Sequence, residues 1–253
     1  PERGRIETMD RVAIAVDSNG VITDVQKDGT PDFDKLVSSA RDSGRLTELA
    51  HGNILMPGLV DLHVHAPQWP QLGKALDEPL EVWLQKYTFP LEARYEDVEF
   101  ARTVYRDLVR SLLAHGTTTA VYFATTHVEA SVELAQICLD EGQRAFVGKV
   151  AMDDIRQCPE YYRDQSAQTA IEDTRSFINR VHALAGREEA LVRPIITPRF
   201  IPSCTDELLQ GLGELAAETG CLVQTHCSES DWERDFVLER HGRTDSEVLR
   251  DFG

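Results

Sequence analysis

The sequence predicts an α/β protein in which βαβ units lay down a parallel sheet, and three observations carry that expectation. From Pro57 onward, short β-branched and aromatic runs alternate with stretches whose apolar residues recur near every 3.6 positions. Each of the helical stretches reaches a glycine that can end it: Gly116, Gly142, Gly186 and Gly220. The strand runs share a direction, because a helix-length segment separates each from the next.

Residues 1–56 read differently. Val12–Val16 and Val21–Val25 are short strand runs joined by Asp17-Ser18-Asn19-Gly20, and Asn-Gly between β-branched runs marks a tight hairpin. The remainder before Pro57 is also read as short strands. A hairpin cannot bury itself, so this stretch is expected to be one part of a small β domain. The second expected domain, 57–253, opens with an apolar strand run from Pro57 to His65.

A long connection follows, Pro67 to about Tyr95, rich in Pro and Trp. The first helix carries Ala101, Val104, Tyr105, Leu108 and Leu112 on one face. Thr118–Phe123 is the second strand, and a helix with Ala130, Leu134, Ile137 and Cys138 follows it. Ala145–Val150 is the third strand, and a helix with Ile171, Thr174, Ile178 and Val181 should stop at Gly186. The fourth strand is Val192–Thr197, in which Pro194 would be awkward unless it sits at the strand start. Thr205 caps the helix carrying Leu208, Leu209, Leu212 and Leu215, Leu222–His226 is the fifth strand, and the last helices carry Trp232, Phe236, Val237, Val248 and Leu249.

Two strand ends carry chemistry. In an extended strand alternate side chains share a face, so His63 and His65 project together, close enough to reach one ion. By itself such a pair also suits a half-exposed strand. The fifth strand ends in His226, with Glu229 three residues on, where a carboxylate could lean over the same site or simply favour a helix start.

Together these residues resemble the amidohydrolase superfamily, metal-dependent hydrolases built on a TIM-type (β/α)8 barrel. Within it, Lys86–Glu92, Gly116–Ala120, Arg144–Asp153 and Thr197–Phe200 look like the guanine deaminases, and the likeness runs from about Asn53 to the end of the chain. The resemblance implies hydrolysis of guanine to xanthine and ammonia, in purine catabolism, by a metal-activated water. It implies His63, His65 and His226 as metal ligands, with an Asp beyond residue 253 as the fourth. Glu229 would be the proton shuttle. Gln68, Arg199, Phe200, His226 and Glu229 would meet the purine. One Zn2+ is expected, with Fe2+ possible, because no Lys occurs in Val192–Phe200 where binuclear relatives carry one; Lys149 lies in the third strand instead.

A closed barrel needs eight strands and this chain offers five. About three strand–helix units, with a sixth-strand His and the eighth-strand Asp, should therefore lie outside it. The N-terminal strands are then half of a small β-sandwich, and relatives are commonly homodimers.

Composition narrows the partners. With 26 basic against 43 acidic residues the formal net charge is -17, which disfavours nucleic acid polymers and anionic membranes. No apolar run approaches a membrane span and no signal-peptide core opens the chain, so a cytoplasmic protein with a small-molecule purine substrate is expected. Cys138, Cys158, Cys204, Cys221 and Cys227 form no C-x-x-C pair, which argues against a disulfide framework and against the thiolate type of nucleobase deaminase site. His51, His115, His182 and His241 read as solvated or helix-end residues; His127 could line the pocket, and Asp153 could support it. The rival readings are a deaminase or dechlorinase of another heterocycle, and a metal-free barrel kept as a scaffold.

Overall fold

The computed structural model describes residues 7–185 and 190–253 and separates into two compact units, Pro1–Met56 and Pro57–Gly253. In the first, β1 (Val12–Val16) and β2 (Ile22–Lys27) pair antiparallel. The turn between them places Gly20 at φ 80, as a tight hairpin requires. The second half of this unit is not strand. Pro31–Asp42 is a helix, α1, in which the Thr30 hydroxyl accepts from the Phe33 N–H and Pro31 occupies the first turn. Thr-Pro-Asp is a helix start, because proline there forfeits only an N–H that would be unpaired anyway.

The second unit holds a four-stranded parallel sheet in the order β3 (Leu59–His65), β4 (Thr117–Phe123), β5 (Arg144–Gly148), β7 (Val192–Pro194). β6 (Val150–Ala151) and β8 (Thr197–Pro198) form a second parallel pair. Thus the third and fourth expected strands are each split. Pro194 sits at the end of β7, not its start. It costs no bond to β5, since Ile195 N–H donates to the Val147 carbonyl while Ala145 N–H donates to that of Leu191, leaving Pro194 facing the other side.

The expected fifth strand is reduced to a single bridge, Ile196 to Val223. Ile196 N–H donates to the Leu222 carbonyl and Gln224 N–H to that of Ile196. The next rung would need a donor from Pro198, which has none, so the ladder skips and resumes where His226 N–H meets the Arg199 carbonyl.

Four long helices cover this sheet: α4 (Val98–Ala114), α5 (Val128–Glu141), α6 (Ala167–Ala185) and α7 (Asp206–Thr219). Asp97 caps α4 and Thr205 caps α7, and Gly142 and Gly220 adopt left-handed conformations just past α5 and α7. The expected stop of α6 at Gly186 lies outside the described residues. The apolar stripes of these helices, with Tyr105, Leu134, Phe177 and Leu212 among them, meet Ala120, Val147 and Val192 of the sheet in one core. α8 (Asp231–His241) and α9 (Asp245–Asp251) follow the fifth segment.

The long connection is mostly helical. It contains a 3-10 turn over Ala66–Gln71, short helices α2 (Leu80–Trp83) and α3 (Phe89–Ala93), a π-helical turn between them over Leu84–Thr88, and a second 3-10 turn over Arg94–Glu96. Its large residues tie it down: Tyr95 Oη donates to the Pro67 carbonyl at 2.9 Å and Trp69 Nε1 to Asp107 at 2.7 Å. Among the described residues no helix is long and apolar enough to cross a membrane. The five cysteines are free.

Candidate active site

β3 and the segment ending at His226 bring three imidazoles together at the C-terminal end of the sheet. The ring centroids of His63 and His65 are 5.1 Å apart, those of His63 and His226 4.8 Å, and those of His65 and His226 4.9 Å. One ring nitrogen from each of the three lies within 4.8 Å of the other two. Phe123, at the end of β4, packs against all three rings at 4.6–4.9 Å and is fully buried, so the cluster has an apolar floor.

The protonation pattern suits metal ligands. His226 Nδ1 lies 2.6 Å from the Arg199 carbonyl, which can only accept, so Nδ1 carries the proton and Nε2 the lone pair. That Nε2 faces His65 Nε2 at 2.8 Å, while His65 Nδ1 is buried without a partner. Burial, reinforced by the Arg199 charge, holds His65 well below the ordinary imidazole range. Burial likewise pushes His226 down to about 4, against its bond to the Arg199 carbonyl. Neutral imidazoles with converging nitrogens fit a divalent ion of borderline softness.

A cavity of about 250 Å³ opens on this cluster. Gln68, Arg199, Phe200 and Glu229 line it together with His63, His65 and His226, so every site residue expected from the sequence meets one space. Leu80, Trp83 and Leu84 complete its apolar wall; the π-helical turn is where Leu84 enters, and sequence periodicity gave no sign of it.

Arg199 is 2% exposed, and its guanidinium forks onto Glu92: Nη1 to Oε2 at 2.6 Å and Nη2 to Oε1 at 3.2 Å. Burial opposes its charge, yet the Glu92 carboxylate more than offsets that and raises its pKa. The same carboxylate accepts from Gln68 Nε2 at 3.0 Å and from Tyr162 Oη at 2.8 Å. Glu92 thus orients two of the cavity's polar side chains. It closes the Lys86–Glu92 segment, and a glutamate after Phe-Pro-Leu in a helical turn was the available signal for it.

Phe200 is 4% exposed, with its ring edge-on to His226 at 6.4 Å and tilted against Trp232 at 5.9 Å. Glu229 is exposed, on the turn between His226 and α8. His127 is not among the residues lining the cavity; it stands at the N-terminus of α5 with burial lowering its pKa. Asp153 takes the Thr205 N–H and hydroxyl, both at 2.7 Å, and so braces the start of α7. Lys149 is fully buried and paired with Asp164 at 2.6 Å.

Comparison with known proteins bears on this arrangement. Guanine deaminase of Dictyostelium discoideum is 42% identical over 243 residues, 93% of this chain and 53% of that protein. The human guanine deaminase is 44% identical over 185 residues, 73% of this chain and 40% of that protein. The crystal structure of guanine deaminase from C. acetobutylicum with bound guanine in its active site superposes with a TM-score of 0.87 at 34% identity, covering 99% of this chain and 56% of that one. The chain spans about half the length of the curated relatives it matches. The sequence pattern of the amidohydrolase family matches residues 54–251, and with the parallel α/β sheet and the histidine cluster at its C-terminal end, the chain belongs to the amidohydrolase family.

Proposed function

We propose that this chain is the first part of a guanine deaminase, hydrolysing guanine to xanthine and ammonia. The observation that carries the reading is the convergence of Gln68, Arg199, Phe200 and Glu229 on the cavity of the three histidines. Relatives named for this activity, at 42–44% identity, support it.

His63, His65 and His226 would hold one divalent ion, Zn2+ or alternatively Fe2+, since imidazole suits both. When bound, such an ion supplies the Lewis acidity that lets water act as a nucleophile near neutral pH. The remaining work falls to side chains of this chain. Glu229 takes the proton from the attacking water, carries it to a ring nitrogen and helps the amino group leave as ammonia. Arg199 offers only donors in a fixed fork, so the N–H groups not spent on Glu92 favour an exocyclic oxygen over an amino group, which suits guanine rather than adenine. Gln68 reads another purine edge, and Phe200 with Leu80, Trp83 and Leu84 encloses the ring and keeps bulk water out.

Both sides of the sheet support a larger whole. Leu59, Val60 and Leu62 of β3 are 51%, 59% and 70% exposed, and Leu222 and Val223 at the far side are 55% and 46% exposed. Three further strand–helix units would cover those apolar edges, complete the (β/α)8 barrel, and bring a sixth-strand His and an eighth-strand Asp to the site. The N-terminal hairpin would then be half of a small β-sandwich, in a cytoplasmic homodimer.

The test uses the full-length protein with guanine, adenine, cytosine, adenosine and triazines, following ammonia release, xanthine absorbance and metal content. Xanthine from guanine is expected. Turnover of another ring with guanine untouched would overturn the substrate, and a folded, metal-free, inert protein would point to a scaffold.

A further inference from the structure

We propose that Glu233 and Asp245 are positioning residues that grip the Ser228–Glu229 backbone and so hold the Glu229 carboxylate over the histidine cavity. The inference rests on the reading of Glu229 as the proton carrier.

Ser228 has φ 54 in the left-handed region, a conformation that serine keeps where its surroundings enforce it. Two buried carboxylates do so here. Asp245 Oδ2 accepts from the Ser228 N–H at 3.0 Å, and Glu233 Oε2 accepts from the Glu229 N–H at 2.7 Å. Asp245 is 1% exposed and Glu233 fully buried, whereas Cys227, Ser228 and Glu229 are all exposed. An exposed loop is therefore pinned from inside by the first turns of two successive helices, α8 and α9.

The sequence chemistry marks this as more than a cap. Ser230-Asp231-Trp232-Glu233 is a capping-box pattern, in which the third helical residue reaches back to the N-cap N–H. α9 does this in the ordinary way, with Glu247 accepting from the Thr244 N–H at 3.0 Å. Ser230 does its part, accepting from the Glu233 N–H at 3.1 Å, but Glu233 passes over Ser230 and takes the N–H of Glu229. The bond that would finish a helix is spent on the loop that faces the cavity.

The second oxygens, Glu233 Oε1 and Asp245 Oδ1, are buried with no N–H or O–H donor on them, and the two carboxyls lie near enough to raise the pKa of Glu233. Burial first, and the Asp245 charge in addition, push the Glu233 carboxyl up to about 7, against the bond from the Glu229 N–H. Glu233 thus keeps its proton up to near neutrality while its Oε2 still accepts from the loop.

The test compares full-length wild type with Glu233→Ala and Glu233→Gln, matched for metal content. Gln keeps a carbonyl acceptor and mimics the protonated acid, so it should stay within about threefold of wild-type kcat, while Ala should lose about tenfold or more in kcat with KM little changed. Hydrogen exchange of a peptide spanning residues 227–230 should accelerate about tenfold or more in Ala and stay near wild type in Gln. That readout needs no turnover, so an enzyme inert toward guanine would refute the functional reading while the grip is still judged. A folded Glu233→Ala enzyme with wild-type kcat, a fall in thermal stability alone, or unchanged exchange would each overturn the proposal. If Glu233→Ala does not fold, Asp245→Ala, which frees the Ser228 amide, must show the same loss or the proposal falls.

Discussion

Replacing Glu92 by Gln should destabilise the fold by about 3–5 kcal/mol, because it strands a buried guanidinium. Oε1 accepts from Arg199 Nη2 and Gln68 Nε2, and Oε2 accepts from Arg199 Nη1 and Tyr162 Oη. Whichever oxygen becomes an amide nitrogen, one charged bond is lost with donor facing donor at Arg199, and the neutral bond on that oxygen, from Gln68 or Tyr162, is lost unless that side chain turns to accept. At about 1.5–3 kcal/mol for the charged bond and about 1 kcal/mol for the neutral one, the bonds alone account for most of the loss. Loss of the counter-charge at the 2% exposed Arg199 supplies the rest. The assay is urea unfolding of Glu92→Gln, together with a double-mutant cycle on Glu92→Leu, Arg199→Met and the doubly apolar Glu92→Leu/Arg199→Met variant. The double variant should be more stable than either single one, since removing both partners leaves no buried charge, yet it should lose turnover of guanine. A Glu92→Gln protein within about 1 kcal/mol of wild type, or strictly additive losses, would refute the idea that this pair carries the buried guanidinium.

Three further outcomes follow from the same geometry. Glu229→Gln should lower kcat by about 10²–10⁴-fold with KM little changed, read by steady-state xanthine formation. His226→Ala should remove the bound ion, measured by elemental analysis, and turnover with it, while far-UV circular dichroism stays as in wild type. Gly148→Ala should cost about 1–3 kcal/mol in urea unfolding, because an added Cβ would meet Thr197 Oγ1 at 1.8 Å and Gln224 Nε2 at 2.8 Å.

Much of the candidate site was legible because its signals are local. His-x-His ends a strand, a second apolar run ends in His, and strand alternation with a shared direction puts such ends on one side. The wall was less legible. Leu80, Trp83 and Leu84 sit in short α and π turns whose register no long periodicity announces, and the region reads as a connection. Glu92 escaped notice because its role exists only through partners at residues 68, 162 and 199. The same holds for the fifth strand: five apolar and polar residues suit a strand, but the ladder depends on what the neighbour can donate, and Pro198 donates nothing. α1 differs in being locally encoded, since Thr30-Pro31-Asp32 is itself a helix start lying directly after the hairpin.

The Glu233 grip makes a pH prediction whose sign follows from linkage. In the unfolded chain a glutamate titrates near 4.5, and in the folded protein Glu233 titrates at about 7. Between those values the folded form holds the extra proton, so stability is highest below the lower one and declines as pH rises through the window. The decline from this group should reach about 3 kcal/mol above pH 7, at 1.36 kcal/mol per unit difference in pKa. Glu233→Gln cannot ionise and should flatten that part of the profile, becoming relatively more stable than wild type at pH 8 than at pH 5. Thermal unfolding of both proteins across pH 4.5–8 decides it. Parallel profiles for the two would mean that Glu233 is already ionised in the fold, and that the Glu229 N–H is held by a carboxylate instead of a protonated acid.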